Sequence, residues 1–234
     1  MQVIETDKLR AGYATGEVLQ GINIYVDEAE IVGVLGRNGV GKTTLMRTLI
    51  GLLPARSGTI RFRGEDVTRL KADRRARRGI GYVPQGRDVF PQMSVLDNLK
   101  MGGFIKGPKG KPRVDLVHLY FPFLRERANQ RAGTLSGGQQ EMLAIGRALA
   151  GGPELLLLDE PSDGVQPSIV HEIGDFVVEL NQKERLAVLI VEQNIDLVQK
   201  VASRAYVLDK GRVVQTLEKD ELRNTERLAE FLAI

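Results

Sequence analysis

A glycine-rich stretch early in the chain has the residues needed to hold a phosphate group. Residues 36–43 read GRNGVGKT and fit the pattern G-x-x-x-x-G-K-[ST]. The glycines allow backbone angles and a close approach that a Cβ would block, and the free N–H groups can face an anion. Lys42 can then reach β- and γ-phosphates, and the Thr43 hydroxyl can bind Mg²⁺. The pattern predicts a nucleotide-binding loop, with a chance glycine turn as the alternative.

Two carboxylates follow an unbroken apolar run later in the chain. Residues 155–158 are leucines, and Asp159 and Glu160 come directly after them. Such a run is typical of a parallel strand that is buried on both faces. At the end of this strand, Asp159 could hold Mg²⁺, and Glu160 could orient or deprotonate a water for attack on a γ-phosphate. The alternative is a strand-terminal turn with two solvated acids.

A second candidate anion site lies at residues 135–139, which read LSGGQ. Apolar residues recur after it at helical spacing, so Ser136, Gly137 and Gly138 are predicted to stand at a helix start. Backbone N–H groups and the helix dipole favour an anion there. A simple N-cap would explain Ser136 but not the paired glycines followed by Gln139.

Three further side chains flank these motifs. Tyr13 lies in a short glycine-flanked loop, where its ring could stack on adenine or simply pack. Gln85 follows a predicted buried strand at residues 80–83, and Gln193 follows another at residues 186–191. Ligands bind at the carboxyl ends of strands in open α/β sheets, so both glutamines are candidates for the site.

The hydrophobic pattern predicts the elements that must position these residues. The apolar run 31–35 predicts a buried strand before the phosphate loop, and apolar residues at helical spacing predict a helix after it. Short strands are predicted at residues 2–8 and 22–26. The turn at residues 27–29 predicts a hairpin into the strand at 31–35.

The pattern changes from about residue 90. Residues 114–121 and 124–130 look helical, and residues 102–112, rich in Gly, Lys and Pro, are predicted to form a mobile loop. A charged amphipathic helix is predicted from Glu218 onward. We interpret residues 90–150 as a helical lobe inserted into one domain of residues 1–234.

Composition limits the class of protein. The 234 residues are 42% hydrophobic and 27% charged, which is typical of a globular chain and not of a disordered one. There is no cysteine, which excludes disulfides and thiolate metal sites. No apolar run approaches the roughly 20 residues that span a bilayer, and we expect no secretion signal. The net charge of +3 includes a basic run at 69–78, interpreted as a solvated helix face rather than a nucleic-acid site, because no aromatics interleave with it.

Two anion-binding helix starts and an acid-ended strand, in this order, resemble the ATP-binding subunits of ATP-binding-cassette (ABC) transporters over the whole chain. Residues 36–43 match the Walker A loop, residues 135–139 the LSGGQ motif, and residues 155–160 Walker B with its catalytic glutamate. The resemblance implies an α/β fold with a P-loop NTPase (RecA-like) core and a mainly parallel sheet. It also implies an antiparallel β subdomain and an inserted helical subdomain.

The resemblance further implies ATP and Mg²⁺ as cofactors and gives roles to single residues. Catalysis is expected to involve Glu160, Gln193 and Lys42. Metal binding is expected from Thr43, Gln85 and Asp159. The residues expected to bind the nucleotide are Tyr13, Gly36, Arg37, Asn38, Gly39, Val40, Gly41, Lys42, Thr43, Thr44, Gln85, Ser136, Gly137, Gly138 and Gln139.

Within this family, the chain resembles the smaller ATPase of importers of the branched-chain amino-acid type. The stretches that carry this likeness are 82–87, 142–149 and 191–194. Finer details resemble the urea-importing branch, at residues 36–42, 164–168 and 232–234. The implied function is ATP hydrolysis that powers import of urea, branched-chain amino acids or small amides.

The resemblance also implies partners. These are a second ABC ATPase subunit placed head to tail, identical or related, two membrane permease subunits and, indirectly, a periplasmic or extracellular solute-binding protein. No nucleic-acid partner is expected, and the chain would sit on the cytoplasmic face of the inner membrane through its permeases.

Two positions depart from the family pattern. Gln193 stands where most relatives have a switch histidine, and Gln166 where many have an aspartate. Glutamine can donate a hydrogen bond to a γ-phosphate but cannot titrate, so hydrolysis should need no protonatable group at position 193.

Three other function classes remain open from the residues. A non-transport ABC ATPase of DNA repair or translation usually carries coiled coils, zinc cysteines or two cassettes, which this sequence does not show. A P-loop kinase for a small molecule would explain Lys42 and Thr43 but not residues 135–139. A non-catalytic binding module would leave Glu160 without a role.

Overall fold

The computed structural model describes residues 1–107 and 110–223, which fold around two β-sheets. The phosphate-loop strand, the two glutamine-ended strands and the acid-ended strand all form as short, mostly buried strands. The strands are β1 (Gln2–Tyr13), β2 (Gly16–Ile22), β3 (Tyr25–Asp27), β4 (Ile31–Leu35), β5 (Ala55–Phe62), β6 (Glu65–Asp66), β7 (Ile80–Val83), β8 (Leu155–Asp159), β9 (Ala187–Glu192), β10 (Arg204–Asp209) and β11 (Arg212–Glu218).

The larger sheet is mainly parallel. Its order is β11-β10-β4-β9-β8-β7, in which only the β10–β11 pair is antiparallel. Every residue of β4, β8 and β9 is buried, as expected for inner strands covered on both faces. The second sheet is antiparallel, in the order β2-β1-β5-β6, with β3 also paired to β1. This arrangement confirms the predicted α/β fold.

Helices flank the parallel sheet and fill the interval between β7 and β8. Three of them begin with a side-chain cap that the sequence supplies, from Ser94, Ser136 and Asn194. The helices are α1 (Lys42–Ile50), α2 (Ala72–Arg77), α3 (Val95–Gly103), α4 (Val114–Tyr120), α5 (Pro122–Glu126), α6 (Gly137–Ala150), α7 (Pro167–Glu184), α8 (Ile195–Val201) and α9 (Lys219–Leu222).

The core is divided in two by the parallel sheet. Leu155 and Leu157 of β8 pack with the antiparallel sheet and α1, whereas Leu156 and Leu158 pack with the helices between β7 and β8 and with α7. All four leucines are fully buried. Burying one leucine contributes roughly 1.5–3 kcal/mol, so this strand anchors both halves of the core.

The hairpin predicted at residues 27–29 is wrong. The strand before this turn, β3, pairs with β1 in the antiparallel sheet, whereas β4 lies between β9 and β10 in the parallel sheet. The fully apolar β4 has to be covered on two faces, and only an inner position of the parallel sheet provides that. The first strand is also longer than predicted and ends at Tyr13, which is therefore a strand residue and not a loop residue.

The segment between β7 and β8 differs from expectation in detail. The predicted loop at residues 102–112 begins with the end of α3 and a 3₁₀ turn at Phe104–Lys106, and α5 ends at Glu126, not at residue 130. Residues 108 and 109 of this loop lie outside the described residues. So do most of the C-terminal helix predicted from Glu218 and the 232–234 ending, because the description stops at residue 223.

None of the helices in the described part of the chain is long and apolar enough to cross a membrane.

The basic run at 69–78 holds one buried residue, contrary to its interpretation as a solvated face. Arg75 is 1% exposed, and burial lowers its pKa to about 10. Its guanidinium donates hydrogen bonds of 2.7–2.9 Å to the carbonyl oxygens of Thr48, Leu49, Leu70 and Thr68. It thereby satisfies carbonyls at the carboxyl end of α1, the helix that follows the phosphate loop.

We expect Arg75→Met to lower the free energy of unfolding by about 3 kcal/mol, because two buried and two part-buried carbonyl oxygens lose the Arg75 donor. Urea unfolding followed by circular dichroism measures this loss. The matched control is Arg77→Met, since Arg77 is exposed on the same helix and should cost less than about 0.5 kcal/mol. Equal losses in the two variants would contradict a bracing role for Arg75.

Candidate functional site

The phosphate-binding loop connects the end of β4 to the start of α1. Gly41 is the N-cap of α1 with a φ of 115°, a left-handed conformation that favours glycine. A Cβ on Gly36 would lie 2.6 Å from the carbonyl oxygen of Leu208, so glycine is needed where the loop passes β10. No side chain caps α1, so its first N–H groups are left for an anion.

Lys42 is buried and is held by three oxygens. Its Nζ donates to the carbonyl oxygens of Gly36, at 2.7 Å, and Arg37, at 2.9 Å. It also forms an ion pair with Glu160 Oε1 at 2.9 Å, with the lysine and glutamate side chains only 3% and 7% exposed. A buried charge without a partner is costly. An anion that takes Lys42 from Glu160 must therefore bind strongly enough to offset the cost of leaving the Glu160 carboxylate unpaired.

Asp159 ends β8 beside the phosphate loop. Thr43 Oγ1 donates to Asp159 Oδ1 at 3.1 Å, and the Tyr82 hydroxyl donates to Asp159 Oδ2 at 3.0 Å. Burial raises the pKa of Asp159, and these two hydrogen bonds act in the opposite direction. The Thr43 hydroxyl and the Asp159 carboxylate, which are far apart in the sequence, thus lie side by side. Hard oxygen ligands of this kind suit Mg²⁺.

Glu160 is the first residue after β8 and has a left-handed φ of 51°. A non-glycine residue in this conformation costs roughly 1–3 kcal/mol, and such strain persists only where the surroundings fix it. Here Gln85 Nε2 donates to Glu160 Oε2 at 3.1 Å and to Asp163 Oδ2 at 3.0 Å. Gln85, assigned above to the metal, is therefore placed against two carboxylates.

A cleft of about 430 Å³ opens above these groups. The ring of Tyr13, 38% exposed, stands at one side of it, as stacking on a base would require. Apart from Val18, every lining residue was expected from the sequence. The lining residues are Tyr13, Val18, Asn38, Gly39, Gly41, Lys42, Thr43, Thr44, Gln85 and Glu160.

Residues 136–139 start α6 and do not line this cleft. Ser136 Oγ accepts the N–H of Gln139 at 3.3 Å, and Gln139 Oε1 accepts the N–H of Ser136 at 3.1 Å. This capping box accounts for Gln139 as well as Ser136, so the view that a cap explains only the serine is wrong. Gly138 has a packing role, since its Cβ would lie 2.7 Å from Cγ2 of Ile169. Ser136 is exposed.

Gln193 follows β9 at the same edge of the sheet and is exposed. Its backbone N–H donates to Glu192 Oε2 at 3.1 Å. The Glu192 carboxylate is fully buried and also accepts the backbone N–H of Ser162 at 2.9 Å. Glu192 was not among the expected site residues, although a carboxylate at the end of an apolar strand is the signal that identified Asp159.

Two more charged residues of the site were missed. Glu141, 4% exposed on α6, has Arg87 as its nearest cation, with Arg87 Nε 4.0 Å from Oε2. Burial raises the pKa of Glu141 to about 8, with Arg87 acting against the shift and the carboxylates of Glu192 and Asp163 adding to it. The helical spacing placed Glu141 between apolar residues of α6, but nothing in the sequence indicated that Arg87 lies beside it.

Comparisons with known proteins agree with this geometry. The model of the family described as "ABC transporter" matches residues 19–163. The chain is 45% identical over 213 residues to the high-affinity branched-chain amino acid transport ATP-binding protein BraG of Pseudomonas aeruginosa, covering 91% of each chain. It is 34% identical to the lipopolysaccharide export system ATP-binding protein LptB of Escherichia coli K12, covering 92% of this chain and 90% of the relative.

A solved structure agrees in fold. The crystal structure of a nucleotide-free ATP-binding cassette from an ABC transporter superposes with a TM-score of 0.87 at 25% sequence identity. The match covers 99% of this chain and 98% of the other. This confirms the expected cassette fold, with a P-loop core, an antiparallel β part and helices inserted between β7 and β8.

We expect stability to fall with rising pH between about 4.5 and about 8 because of Glu141. Its pKa is raised to about 8 in the folded chain from an ordinary 4.5, so in this window the folded chain keeps a proton that the unfolded chain releases. The free energy of unfolding then falls by up to about 1.4 kcal/mol per pH unit.

Glu141→Gln should remove this dependence and stabilise the chain at about pH 8 relative to the wild type. Urea unfolding at about pH 5 and about pH 8 measures the difference between the two proteins. Glu172→Gln, at an exposed position of α7, is the control and should follow the wild-type profile. Parallel profiles for the wild type and Glu141→Gln would show that Glu141 is already ionised at neutral pH.

Proposed function

This chain belongs to the ABC transporter family, and on that premise we propose that its ATPase activity powers the import of branched-chain amino acids. The observation that carries the catalytic part is the meeting of Lys42, Thr43 and Glu160 in one cleft beside the start of α1, with the buried Asp159 hydrogen-bonded to Thr43. The solute class is supported by the greater identity to BraG, a branched-chain amino acid transport protein, than to LptB.

In this proposal, the phosphates of ATP compete with Glu160 for Lys42. The triphosphate enters at the uncapped start of α1, where its charge attracts Lys42 away from Glu160. Glu160 keeps the hydrogen bond from Gln85, so its carboxylate stays oriented toward the cleft. In this position Glu160 can accept the proton of an attacking water while Lys42 stabilises charge on the phosphates.

Thr43 and Asp159 are the residues that would hold Mg²⁺, and their adjacent oxygens fit that ion. When bound, Mg²⁺ supplies neutralisation of the charge on the phosphate oxygens. Gln193 lies at the same sheet edge and can donate a hydrogen bond to a γ-phosphate. Its backbone N–H donates to the buried Glu192 carboxylate, and its own side-chain amide cannot titrate.

A second chain completes the site in this proposal. Residues 136–138 start α6 with an exposed serine and are not part of this chain's own cleft. Their helix start is suited to a γ-phosphate held by another ATPase subunit placed head to tail. We infer that residues 90–150 act as a lobe of one domain, which moves when the two subunits close on ATP.

Permease subunits would join at a second cleft. This cleft, of about 680 Å³, includes Leu52, Phe90 and Arg147 in its lining. Leu52 is 60% and Phe90 is 42% exposed, and exposed apolar groups of this size mark protein interaction sites. A membrane subunit that docks there would place the chain on the cytoplasmic face of the inner membrane and reach the segment that carries Gln85.

The test is ATP hydrolysis by the complete transporter in lipid vesicles, with the permeases and solute-binding protein of its own genome. Leucine should stimulate hydrolysis several-fold, and urea should not. Stimulation by urea but not by leucine would instead indicate that the imported solute is urea. Stimulation by neither, with retained basal hydrolysis, would overturn the proposal that the chain powers import of branched-chain amino acids.

Glu160→Gln should slow hydrolysis by about 10²–10⁴-fold because it removes the proton acceptor, and it should leave ATP binding intact because the phosphates replace Glu160 as the partner of Lys42. With turnover blocked, the closed pair should accumulate, so the variant should sediment as a dimer in saturating MgATP and as a monomer without it. Glu172→Gln is the control for hydrolysis. A Glu160→Gln variant that stays monomeric in MgATP would contradict the composite site.

A further inference from the structure

Arg87 touches three segments that the proposed reaction uses. It lies two residues after Gln85, and its Nη2 donates to the carbonyl oxygen of Gly164 at 3.0 Å. Its Nε lies 4.0 Å from the buried Glu141 carboxylate on α6. Its guanidinium also lies over the start of α6, where a Cβ on Gly137 would be 3.0 Å from Nη1. One side chain thus joins the segments after β7 and β8 to residues 136–138.

We propose that Arg87 is a positioning residue that links this chain's catalytic Glu160 to its own residues 136–138, and so makes the two ATP sites of the dimer interdependent. The inference rests on the proposed head-to-tail pair, because residues 136–138 act there on the partner's nucleotide. Gln85 moves with Glu160 in one ATP site. Arg87 transmits this movement to residues 136–138, which complete the partner's ATP site.

The first step of the link is the hydrogen bond between Gln85 and Glu160. When ATP draws Lys42 away, the Glu160 carboxylate loses its ion pair and is held on the Gln85 side. Arg87 and Asp88 both have left-handed φ angles, of 75° and 48°. Only Gly86 separates Arg87 from Gln85, so in this proposal a shift of Gln85 is passed along the backbone to Arg87.

The second step is the contact with α6. A cation at the amino end of a helix is unfavourable by itself, so Arg87 gains no local stability from this place. It is kept there by its hydrogen bond to the Gly164 carbonyl, with the Glu141 side chain, one turn along α6, 4.0 Å from its Nε. Gly137 leaves the room that the guanidinium needs, which gives a steric reason for a glycine at that position. A movement of Arg87 therefore repositions residues 136–138.

The experiment measures ATP hydrolysis against ATP concentration for the complete transporter in vesicles. The wild type should show a Hill coefficient above one. Arg87→Met should lower kcat about tenfold or more and bring the Hill coefficient to about one, with half-saturation within about twofold, since Arg87 lines no part of its own nucleotide cleft. Arg87→Lys, which keeps the charge without the planar fork, should recover part of kcat.

Two further variants separate this role from a structural one. Arg61→Met changes an exposed arginine of β5 and is the control, with wild-type kinetics expected. Arg87→Met removes the cation that lowers the pKa of Glu141, so Glu141 stays protonated and neutral in the folded chain. Arg87→Met/Glu141→Gln, which has a neutral amide at that position, should therefore match the thermal midpoint of Arg87→Met and should not restore cooperativity. Full recovery of cooperativity in the double variant would overturn the proposal.

The dimer assay distinguishes failure of this inference from failure of the proposed function. If Glu160→Gln does not dimerise with MgATP, the head-to-tail pair itself is wrong. If it dimerises, and Arg87→Met retains wild-type kcat and cooperativity, the pair stands and the role of Arg87 is wrong. A wild-type Hill coefficient of one, with dimerisation intact, also overturns the link.

Discussion

The parallel pairing of β7, β8, β9 and β4 brings together Lys42, Thr43, Gln85, Asp159, Glu160 and Gln193. In this register Leu35 is level with Glu192, and Asp159 is level with Val191. All four strands therefore end at one edge, and each is followed by a segment of the site. Because β9 lies between β4 and β8, the contact of Lys42 with Glu160 spans two strand positions and ties these segments together.

Charge is balanced at this edge before any nucleotide arrives. Lys42 and Glu160 are both buried and neutralise each other, whereas Asp159 depends on hydroxyl donors from Thr43 and Tyr82. A buried ion pair adds little net stability compared with apolar packing, but losing one partner is costly. The pair thus keeps the Glu160 carboxylate in place and, in the proposed mechanism, releases Lys42 only to a ligand with strong negative charge.

The sequence predicted the site better than the connections around it. Walker-type motifs are local, so residues 36–43 and 159–160 could be placed from flanking apolar runs alone. The strand that pairs with β3 could not be predicted in this way, because β1 and β4 were both candidates. Only the burial of β4 on two faces excludes it. The basic run was interpreted as solvated for a similar reason, because the Arg75 acceptors at Thr48 and Leu49 lie 27 and 26 residues earlier in the sequence. Arg87 and Glu141 were missed because they meet only in the folded chain.

The central position of β4 has a consequence for how the chain is made. This strand is synthesised near the amino end, but its neighbours β9 and β10 start at Ala187 and Arg204, about 150 residues later. At roughly 5–20 residues per second, the ribosome needs roughly 10–30 seconds to deliver them. During that interval the apolar residues of β4 have no sheet to enter. Until then β4 is a stretch that chaperones have reason to hold, and the nucleotide cleft can form only after β9 has been made.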